Sequence, residues 1–374
     1  MQVSSKGGGI EAVTGYFASH RARIVEALEA MAAKKGRDAE SMGRIVEFCL
    51  RGKMIRACLV FLGAEAAGMD SVDAGGDSAL AGLAACMELF QAGLLAHDDI
   101  MDRDEMRRGS PTIHARYAAE ALAEGSSDSP HIGESLGICL GDLCYFEAFA
   151  ELSRAVGGKP RAGEMQELCA ERLAEVAVAQ MDDVRWGASK VEPSEDGILA
   201  MYRSKTAHYS FSLPLALGAL FADSGRPASN DWPATANNLA RELTELGEHL
   251  GILFQIRDDE LGLFGNPDQT GKALGSDLRE GKKTLFRARI LAAAPGADLP
   301  RIQRLFAGGV DATPEDIAHI RQLAERLGVM RSIGEISRRA EERARAIVGG
   351  LGGLPPGTAA VLEGLVAYVT AREK

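Results

Sequence analysis

Two aspartates four residues apart mark the first place where the residue types of this sequence could do chemistry. Asp98 and Asp102 close an apolar segment with helical spacing, so both carboxylates lie on one face of a helix. Carboxylates within one turn repel each other, and negative charge at a helix C-terminus is unfavourable. Magnesium would offset both effects, because it binds a few carboxylates and completes its shell with water and phosphate oxygens. For one such cluster alone, a solvated helix end remains the alternative.

A second acidic cluster lies at residues 254–260 and again closes a long apolar helix. It contains the neighbouring aspartates Asp258 and Asp259. Two such clusters in one helical chain are much less expected by chance than one. We expect them to face each other across a cavity and to hold several magnesium ions around one diphosphate.

Basic side chains follow both clusters and also form two further groups. Arginine forks and lysine ammonium groups are the usual protein contacts of phosphate. Each group alone is more often a solvated surface charge, but their occurrence together with two acidic clusters favours phosphate binding. The groups are Lys53 with Arg56, Arg107 with Arg108, Lys205 beside Thr206, and Lys272 with Lys282 and Lys283.

Helices must position these side chains, because apolar residues recur at spacings of three and four nearly throughout the chain. No alternating run ends in an Asn-Gly or Asp-Gly turn, so the sequence predicts no β-hairpin. The predicted fold class is all-α, with a single domain over residues 1–374. The clearest predicted helices are Ile10–Ala33, Ala79–Asp102, Ile132–Ala155, Met165–Trp186, Thr235–Leu261 and Met330–Val348.

The composition excludes several classes of protein. The 374 residues are 46% hydrophobic and 25% charged, as in ordinary globular proteins. The longest apolar run, Phe211–Ala222, is shorter than the roughly 20 residues of a spanning helix, so we expect no transmembrane segment. The N-terminus has no apolar signal core and the cysteines form no CxxC pair, which predicts buried thiols in the cytoplasm. A net charge of −11 disfavours nucleic acid and anionic lipid as partners.

In their order along the chain, these motifs resemble those of the trans-isoprenyl diphosphate synthases, the polyprenyl synthetase family. The resemblance covers a core at residues 45–290, with an N-terminal helix at 10–33 and C-terminal helices at 298–372. It implies an all-α bundle around a deep central cavity, commonly as a homodimer. The motifs are Gly52-Lys53-x-x-Arg56, His97-Asp98-Asp99-x-x-Asp102 with Arg107-Arg108-Gly109, Gly141-Asp142, Gln180-x-x-Asp183, Lys205-Thr206, Phe254-Gln255-x-x-Asp258-Asp259, and Gly271-Lys272 with Gly281-Lys282.

The resemblance implies a magnesium-dependent condensation of isopentenyl diphosphate with an allylic diphosphate (dimethylallyl, geranyl or farnesyl diphosphate). Three magnesium ions per active site would be held by Asp98, Asp102 and Asp258. The implied catalytic residues are Asp98, Asp102, Arg107, Lys205, Asp258 and Lys272. The implied contacts are Arg107, Lys205, Gln255 and Lys272 for the allylic diphosphate, Lys53, Arg56 and Arg108 for isopentenyl diphosphate, and Gln180, Thr206 and Lys282 as further substrate-binding residues.

Two positions depart from the family pattern. Gln91 stands seven residues before Asp98, where many members have a histidine that contacts isopentenyl diphosphate. The amide of Gln91 can still donate a hydrogen bond, so we expect it to bind the same substrate. Gly262 stands where the second motif has its final aspartate. We expect position 262 to lie outside the metal shell, and Asp258 to remain the essential ligand.

Three other interpretations of the motifs stay open. A class I terpene cyclase also ionises a prenyl diphosphate on an aspartate-rich helix, but it needs no second diphosphate site. Lys53, Arg56 and Arg108 therefore favour the synthase. A non-catalytic synthase subunit would be expected to lose its aspartates. An acidic scaffold that binds cations non-specifically would leave the ordered basic motifs unexplained.

The helix before Asp98 predicts the product length. In this family a bulky residue four or five positions before the first aspartate stops the growing chain at fifteen carbons. Leu94 and Gly93 occupy those positions, which predicts a tunnel that is open there and has Phe90 as its floor. We therefore expect geranylgeranyl diphosphate, with farnesyl or longer polyprenyl diphosphates as alternatives. Phe90 could instead be an ordinary core residue.

Overall fold

A computed structural model describes residues 3–33, 39–70, 78–223, 232–265, 275–309 and 312–372 of the chain. Within these residues the fold is helical apart from one short hairpin, formed by β1 (Met106–Arg107) and β2 (Ser110–Pro111). A π-helix, Tyr202–Ser212, joins α8 to α9. The described helices are α1 (Val3–Ala33), α2 (Ala39–Leu50), α3 (Ile55–Ala66), α4 (Ser78–Met101), α5 (Ile113–Ala123), α6 (Ser129–Val156), α7 (Ala162–Ala188), α8 (Glu195–Met201), α9 (Leu213–Asp223), α10 (Trp232–Phe264), α11 (Ser276–Glu280), α12 (Leu285–Ala293), α13 (Leu299–Leu305), α14 (Pro314–Arg326), α15 (Val329–Gly350) and α16 (Pro356–Ala371).

The six helices that the sequence predicted most clearly are all present. Their ends fall within three residues of the predicted ones, except that α1 begins at Val3 rather than at Ile10. The hairpin was not predicted, because its two-residue turn is Arg108-Gly109, with φ angles of 53° and 73°. Such a turn needs positive φ at both positions, and an arginine there gives no sequence signal.

Helix α4, which carries the first acidic motif, runs through the core. By length and composition it is the one described helix that could span a membrane, but 78% of its most apolar window is buried inside the protein. Its most extensive packing is against α6. Burial among other helices explains why α4 is apolar on more than one face.

Glycines allow α3 to approach α9 closely, and α10 to approach the π-helix. A Cβ atom at Gly63 of α3 would lie 2.9 Å from the carbonyl carbon of Leu215 in α9. A Cβ atom at Gly247 of α10 would lie 2.8 Å from the carbonyl carbon of Phe211 in the π-helix. Side chains larger than hydrogen would push these helices apart, so glycine fixes how near the π-helix lies to α10.

Two apolar clusters fill the interior, and α10 contributes to both. Leu243 and Leu250 belong to the larger cluster, which extends over α1–α7, the π-helix, α9, α15 and α16. Ile256 and Leu263 belong to the smaller one, which joins the second half of α10 to α8, the π-helix and α11–α15. Because the second acidic motif lies in that half of α10, the packing of both clusters determines where the motif is held.

Candidate active site

The hairpin after α4 directs two neighbouring arginines to different places. Arg107 in β1 donates a hydrogen bond from Nε to Asp99, and its Nη2 lies 3.5 Å from Oδ2 of Asp98. Arg108 occupies the turn, where a Cβ atom on Gly52 would lie 2.8 Å from its Nη1. One arginine therefore lies at the first acidic motif and the other at the loop between α2 and α3.

Burial and mutual repulsion favour the protonated forms of two carboxyl groups in the first acidic motif. Burial, and then the charge of Asp98, raises the pKa of Asp102 to about 6. Burial also raises the pKa of Asp99 to about 6, against the opposing effect of Arg107. Asp99 is fully buried, and its Oδ2 has no hydrogen-bond partner among the described residues. A cation beside these carboxylates would stabilise their charged forms.

The π-helix brings two neighbouring residues to the two acidic motifs. The Nζ of Lys205 donates to Oδ2 of Asp183 over 2.6 Å and lies 3.7 Å from Oδ1 of Asp98. Thr206 donates from Oγ1 to Oε1 of Gln255 over 2.7 Å. Burial alone would lower the pKa of Lys205, but the two aspartates raise it, so the ammonium group stays charged. π-Helical turns are rare and occur frequently at functional sites.

Buried hydrogen bonds anchor the second acidic motif. The Nε2 of Gln255 donates to Oδ1 of Asp259 over 2.8 Å, and the hydroxyl of Tyr202 donates to the other carboxylate oxygen. The backbone N–H of Leu285 donates to that hydroxyl over 3.1 Å. Burial and the charge of Asp277 raise the pKa of Asp259 well above its usual value. Asp259 is thus a buried anchor.

Asp258, by contrast, is reached from the C-terminal end of the chain. Its side chain is 43% exposed, and Nη2 of Arg372 donates to its Oδ1 over 3.0 Å. The Arg372 guanidinium also lies 3.8 Å from the ring centroid of Phe254, and Arg257 donates from Nε to the Arg372 carbonyl over 2.9 Å. A cation at Asp258 would therefore compete with Arg372.

The acidic residues fit magnesium, although they do not form a cage. In the described ranges, no three Asp, Glu, His or Cys side chains come together to hold one ion. The predicted ligands Asp98, Asp102 and Asp258 therefore do not meet at one point. Magnesium suits this arrangement, because it binds through one or two carboxylates and takes its other ligands from water and phosphate. The raised pKa of Asp102 supports the fit, since a crowded carboxyl group is stabilised most by a cation.

The loop between α2 and α3 and the first turn of α3 carry two more predicted cationic residues, Lys53 and Arg56. Lys53 is exposed there, and Nη2 of Arg56 donates to Oγ of Ser210 in the π-helix over 2.6 Å. The Arg56 guanidinium also lies 5.0 Å from the ring centroid of Tyr209. Gln91 is half-buried on α4.

The last predicted substrate contacts lie on α7 and beyond α10. The Nε2 of Gln180 lies 3.6 Å from the Met101 sulfur, at the end of α4. The Nζ of Lys282 lies 2.6 Å from Oε2 of Glu280. Burial would lower the pKa of Lys282, but nearby carboxylates, Asp277 above all, raise it well above its usual value. Lys272 lies outside the described residues.

The presence of glycine at position 262 is explained by the space available there. A Cβ atom there would lie 2.6 Å from the carboxyl carbon of Asp277 in α11. The carboxyl group of Asp277 fills the space that a side chain at position 262 would take. Glycine is therefore the residue that fits at the position where the family motif has its final aspartate.

The predicted opening at Gly93 is wrong. A Cβ atom at Gly93 would lie 2.9 Å from the carbonyl oxygen of Gly141 and 2.9 Å from Cε1 of Tyr145, both in α6. The small residue at this position allows α6 to approach α4 and does not leave a void. The spacing of residues in the sequence does not predict this contact, because the contact depends on which helix packs against that face of α4.

Phe90 and Leu94 are one turn apart on the same face of α4 and differ in burial. Phe90 is fully buried, and its ring meets Phe149 of α6 edge-on at a centroid distance of 5.0 Å. Leu94 is half-buried and lies one turn before Asp98, on the same face. Of the predicted chain-length residues, Leu94 is therefore the nearest to Asp98 in this row, and Phe90 lies one turn further back.

Several residues at the site had no role in the sequence interpretation. Tyr202 and Asp277 lie close in sequence to Lys205 and Lys282, so proximity to a motif could have indicated them. Arg372 had no such signal, because 114 residues separate it from Asp258. Tertiary packing alone reveals that contact.

A helical protein with two acidic motifs, cations beside the first motif and a separate cationic loop has the construction of the isoprenoid synthase class. The polyprenyl synthetase family model matches residues 40–325. Over 341 residues the chain is 33% identical to the (2E,6E)-farnesyl diphosphate synthase of Mycobacterium tuberculosis. The aligned residues are 86% of this chain and 80% of the relative. The chain belongs to the polyprenyl synthetase family, and the predicted prenyltransferase class is confirmed.

Two further proteins illustrate the range of the similarity. The short chain isoprenyl diphosphate synthase of Methanocaldococcus jannaschii is 36% identical over 204 residues, which is 54% of this chain and 53%, about half, of the relative's length. The crystal structure of a geranylgeranyl pyrophosphate synthase from Corynebacterium glutamicum, complexed with isoprenyl diphosphate and magnesium, has a TM-score of 0.77 at 28% identity. The match covers 96% of this chain and 99% of that one, which confirms the all-α fold.

Proposed function

We propose that this protein condenses isopentenyl diphosphate head-to-tail with an allylic diphosphate to give a short-chain all-trans prenyl diphosphate. The observation that carries the proposal is the presence of two separate cationic groups. Arg107 and Lys205 lie beside Asp98, whereas Arg108 lies at the Gly52 loop. Two cationic groups can bind two diphosphates, which a terpene cyclase does not need. The farnesyl and geranylgeranyl diphosphate synthases among its relatives support the proposal.

In the proposed reaction, the bond between C1 of the allylic substrate and its diphosphate oxygen breaks, and the electron pair leaves with the diphosphate. Arg107 and Lys205 offset the charge that develops on this leaving group. Magnesium bound at Asp98, Asp102 and Asp258, with three ions per site, would supply further positive charge. The double bond of isopentenyl diphosphate attacks the allylic carbon, and a proton of isopentenyl diphosphate passes to the released diphosphate. Apolar side chains must exclude water from the cation.

The proposed product is geranylgeranyl diphosphate, with farnesyl diphosphate as the alternative. The support is the row of residues on α4 before Asp98. Leu94 is smaller than an aromatic residue. The fully buried Phe90, one turn further from Asp98, packs against Phe149 of α6. Relatives with either product name occur, so product analysis must distinguish the two.

We also propose that the chain forms one domain and acts as a homodimer in the cytoplasm. The single domain is supported by α10, which packs in both apolar clusters. The dimer is supported by large apolar side chains exposed on α6 and α7, and the compartment by six free cysteines, five of them buried. The exposed apolar residues are Leu136, Ile138, Phe146 and Phe149 on α6 and Val178, Met181 and Val184 on α7.

An assay of diphosphate release tests the proposed reaction. The purified protein is incubated with isopentenyl diphosphate, an allylic diphosphate and magnesium, and each substrate is then omitted in turn. We expect release that depends on both substrates and a longer prenyl diphosphate on chromatography. Release from the allylic substrate alone, with a hydrocarbon product, would instead indicate a cyclase. No turnover of either substrate would contradict catalysis.

A further inference from the structure

The loop between α2 and α3 is held by a residue from outside the motifs. Arg21 of α1 donates from Nη1 to the carbonyl of Gly52 over 2.8 Å and from Nη2 to the carbonyl of Leu50. Leu50 ends α2, so its carbonyl has no partner within its own helix. A cation at a helix C-terminus also interacts favourably with the helix dipole. Arg21 therefore fixes the start of the loop that carries Lys53.

The other end of this loop lacks the usual helix cap. The N-cap residue of α3 is Met54, which has a φ of 54° and makes no side-chain hydrogen bond to the helix. Glu88 of α4 replaces the missing cap, because its Oε1 accepts from the backbone N–H of Ala57 over 3.1 Å. Ala57 is the third residue of α3, the position whose N–H a capping side chain normally binds.

Glu88 is an unusual residue for its surroundings. It is only 5% exposed on an apolar stretch of α4, where a buried carboxyl group is costly. Burial raises its pKa, while Arg56, Arg108 and Arg21 act in the opposite direction. A carboxylate placed among three arginines reduces their mutual repulsion and allows the cations around the loop to remain close together.

We propose that Arg21 and Glu88 are positioning residues that fix the two ends of the segment Leu50–Ala57, which contains the loop between α2 and α3, so that Lys53, Arg56 and Arg108 bind isopentenyl diphosphate as one preformed site. The inference rests on the proposed function, which assigns that substrate to these cations. Arg21 uses both terminal nitrogens on backbone carbonyls, so it acts through the loop rather than on the substrate. Preformed geometry lowers the entropy lost on binding.

Steady-state kinetics with both substrates tests the role of Arg21. Arg21→Ala should raise the KM for isopentenyl diphosphate about tenfold, because two hydrogen bonds to the loop are lost. The KM for the allylic substrate and kcat should stay within about twofold, because Arg107 and Lys205 lie on other elements. Arg21→Lys should recover part of the affinity. Arg23→Ala is the matched control, since Arg23 lies on the same helix and makes no hydrogen bond or ion pair within the described ranges.

Variants at Glu88 separate its hydrogen bond to the Ala57 N–H from its negative charge among the arginines. Glu88→Gln keeps an acceptor oxygen for the Ala57 N–H and should change the KM for isopentenyl diphosphate less than Glu88→Ala does. Equal rises of both KM values in Arg21→Ala or in Glu88→Ala would indicate a general structural defect and overturn the proposal. An unchanged KM for isopentenyl diphosphate in either alanine variant would also overturn the proposal.

Hydrogen exchange of the full-length chain without substrate tests the positioning independently of catalysis. Arg21→Ala and Glu88→Ala should speed amide exchange at residues 52–57 but not in the middle of α4. Unchanged exchange at residues 52–57 would refute the positioning role, even in an active enzyme. If the wild type does not condense the two substrates, the proposed function fails, while the exchange result still decides whether these residues hold the loop.

Discussion

At the residue scale, the conformation of one turn decides what two neighbouring arginines can reach. Arg108 adopts a φ of 53°, which costs a non-glycine residue about 1 kcal/mol. The two-residue turn places Arg107 in a strand that returns to the acidic motif, while Arg108 extends from the tip towards Gly52. Two identical side chains, adjacent in sequence, therefore lie beside different groups of the site.

The first prediction concerns Asp98. Asp98→Asn should lower kcat by at least about 100-fold, because it removes a proposed magnesium ligand and the partner of Arg107 and Lys205. The thermal unfolding temperature should not fall, since relief of repulsion with Asp102 offsets the lost ion pairs. Steady-state kinetics at saturating magnesium measures the effect. Asp128→Asn, an exposed aspartate outside the site, is the control and should behave as wild type.

A pH prediction follows from Asp102, whose pKa burial and Asp98 raise to about 6 in the metal-free protein. If magnesium binds the Asp102 carboxylate as proposed, below pH 6 it must displace a proton, and its affinity should fall as the pH drops from 7 to 5. Titration calorimetry in buffers of different ionisation enthalpy should detect proton release near pH 5.5 and almost none at pH 8. In Asp102→Asn this release should diminish. Affinity independent of pH over this range would contradict the assignment.

At the element scale, the contacts of α4 with α6 and of α10 with α11 explain two sequence features. Gly93 is small because α6 packs against it, and Gly262 is small because the carboxyl group of Asp277 lies there. Both glycines can be mistaken for gaps in a functional pattern. Their side-chain volume is instead set by a neighbouring helix.

Restoring the family aspartate at position 262 should therefore harm the protein. Gly262→Asp should destabilise it by about 1–3 kcal/mol, because the new side chain would clash with the Asp277 carboxyl group. Thermal unfolding measures this loss. Gly262→Ala serves as the control that adds a Cβ atom without charge, so a larger loss in Gly262→Asp reports the repulsion. Higher stability or activity in Gly262→Asp would show that Asp277 moves aside readily.

The contact between α4 and α6 also predicts product length. Phe90→Ala should lengthen the main product by about one isoprene unit, because it removes the ring that meets Phe149 at 5.0 Å. Chromatography of the prenyl products measures the shift. Phe61→Ala, an equal deletion in the core of α3, should destabilise the protein without changing the product. An unchanged product in active Phe90→Ala would mean that another position, such as Leu94, sets the length.

At the scale of the whole molecule, α6 and α7 expose seven large apolar side chains. Large apolar residues on α6 and α7 are 40% or more exposed, and Phe146 is 68% exposed. Exposed apolar patches of this kind commonly mark protein interfaces. A second copy of the chain is the occupant that we propose, which would place α6 between its partner and α4.

Disruption of this surface should produce monomers. Phe146→Glu should shift the molecular mass measured by light scattering from the dimer to the monomer, because it puts a charge into an apolar interface. The fold should survive, since the side chain is largely exposed. Leu122→Glu, on α5 and 64% exposed, is the matched control and should leave the mass unchanged. A wild-type monomer would contradict the homodimer.

The sequence by itself determined the helices, the two acidic motifs and the ordered cationic motifs. These features are local, since helical periodicity and an i, i+4 pair depend on residues within one or two turns. The family assignment rests on the same local patterns. The tertiary structure alone decided that Arg107 and Arg108 diverge, that α6 fills the space beside Gly93, and that Arg372 reaches Asp258. Such contacts join residues far apart in the chain or depend on a backbone angle without a sequence signal, so only the packing of the helices determines them.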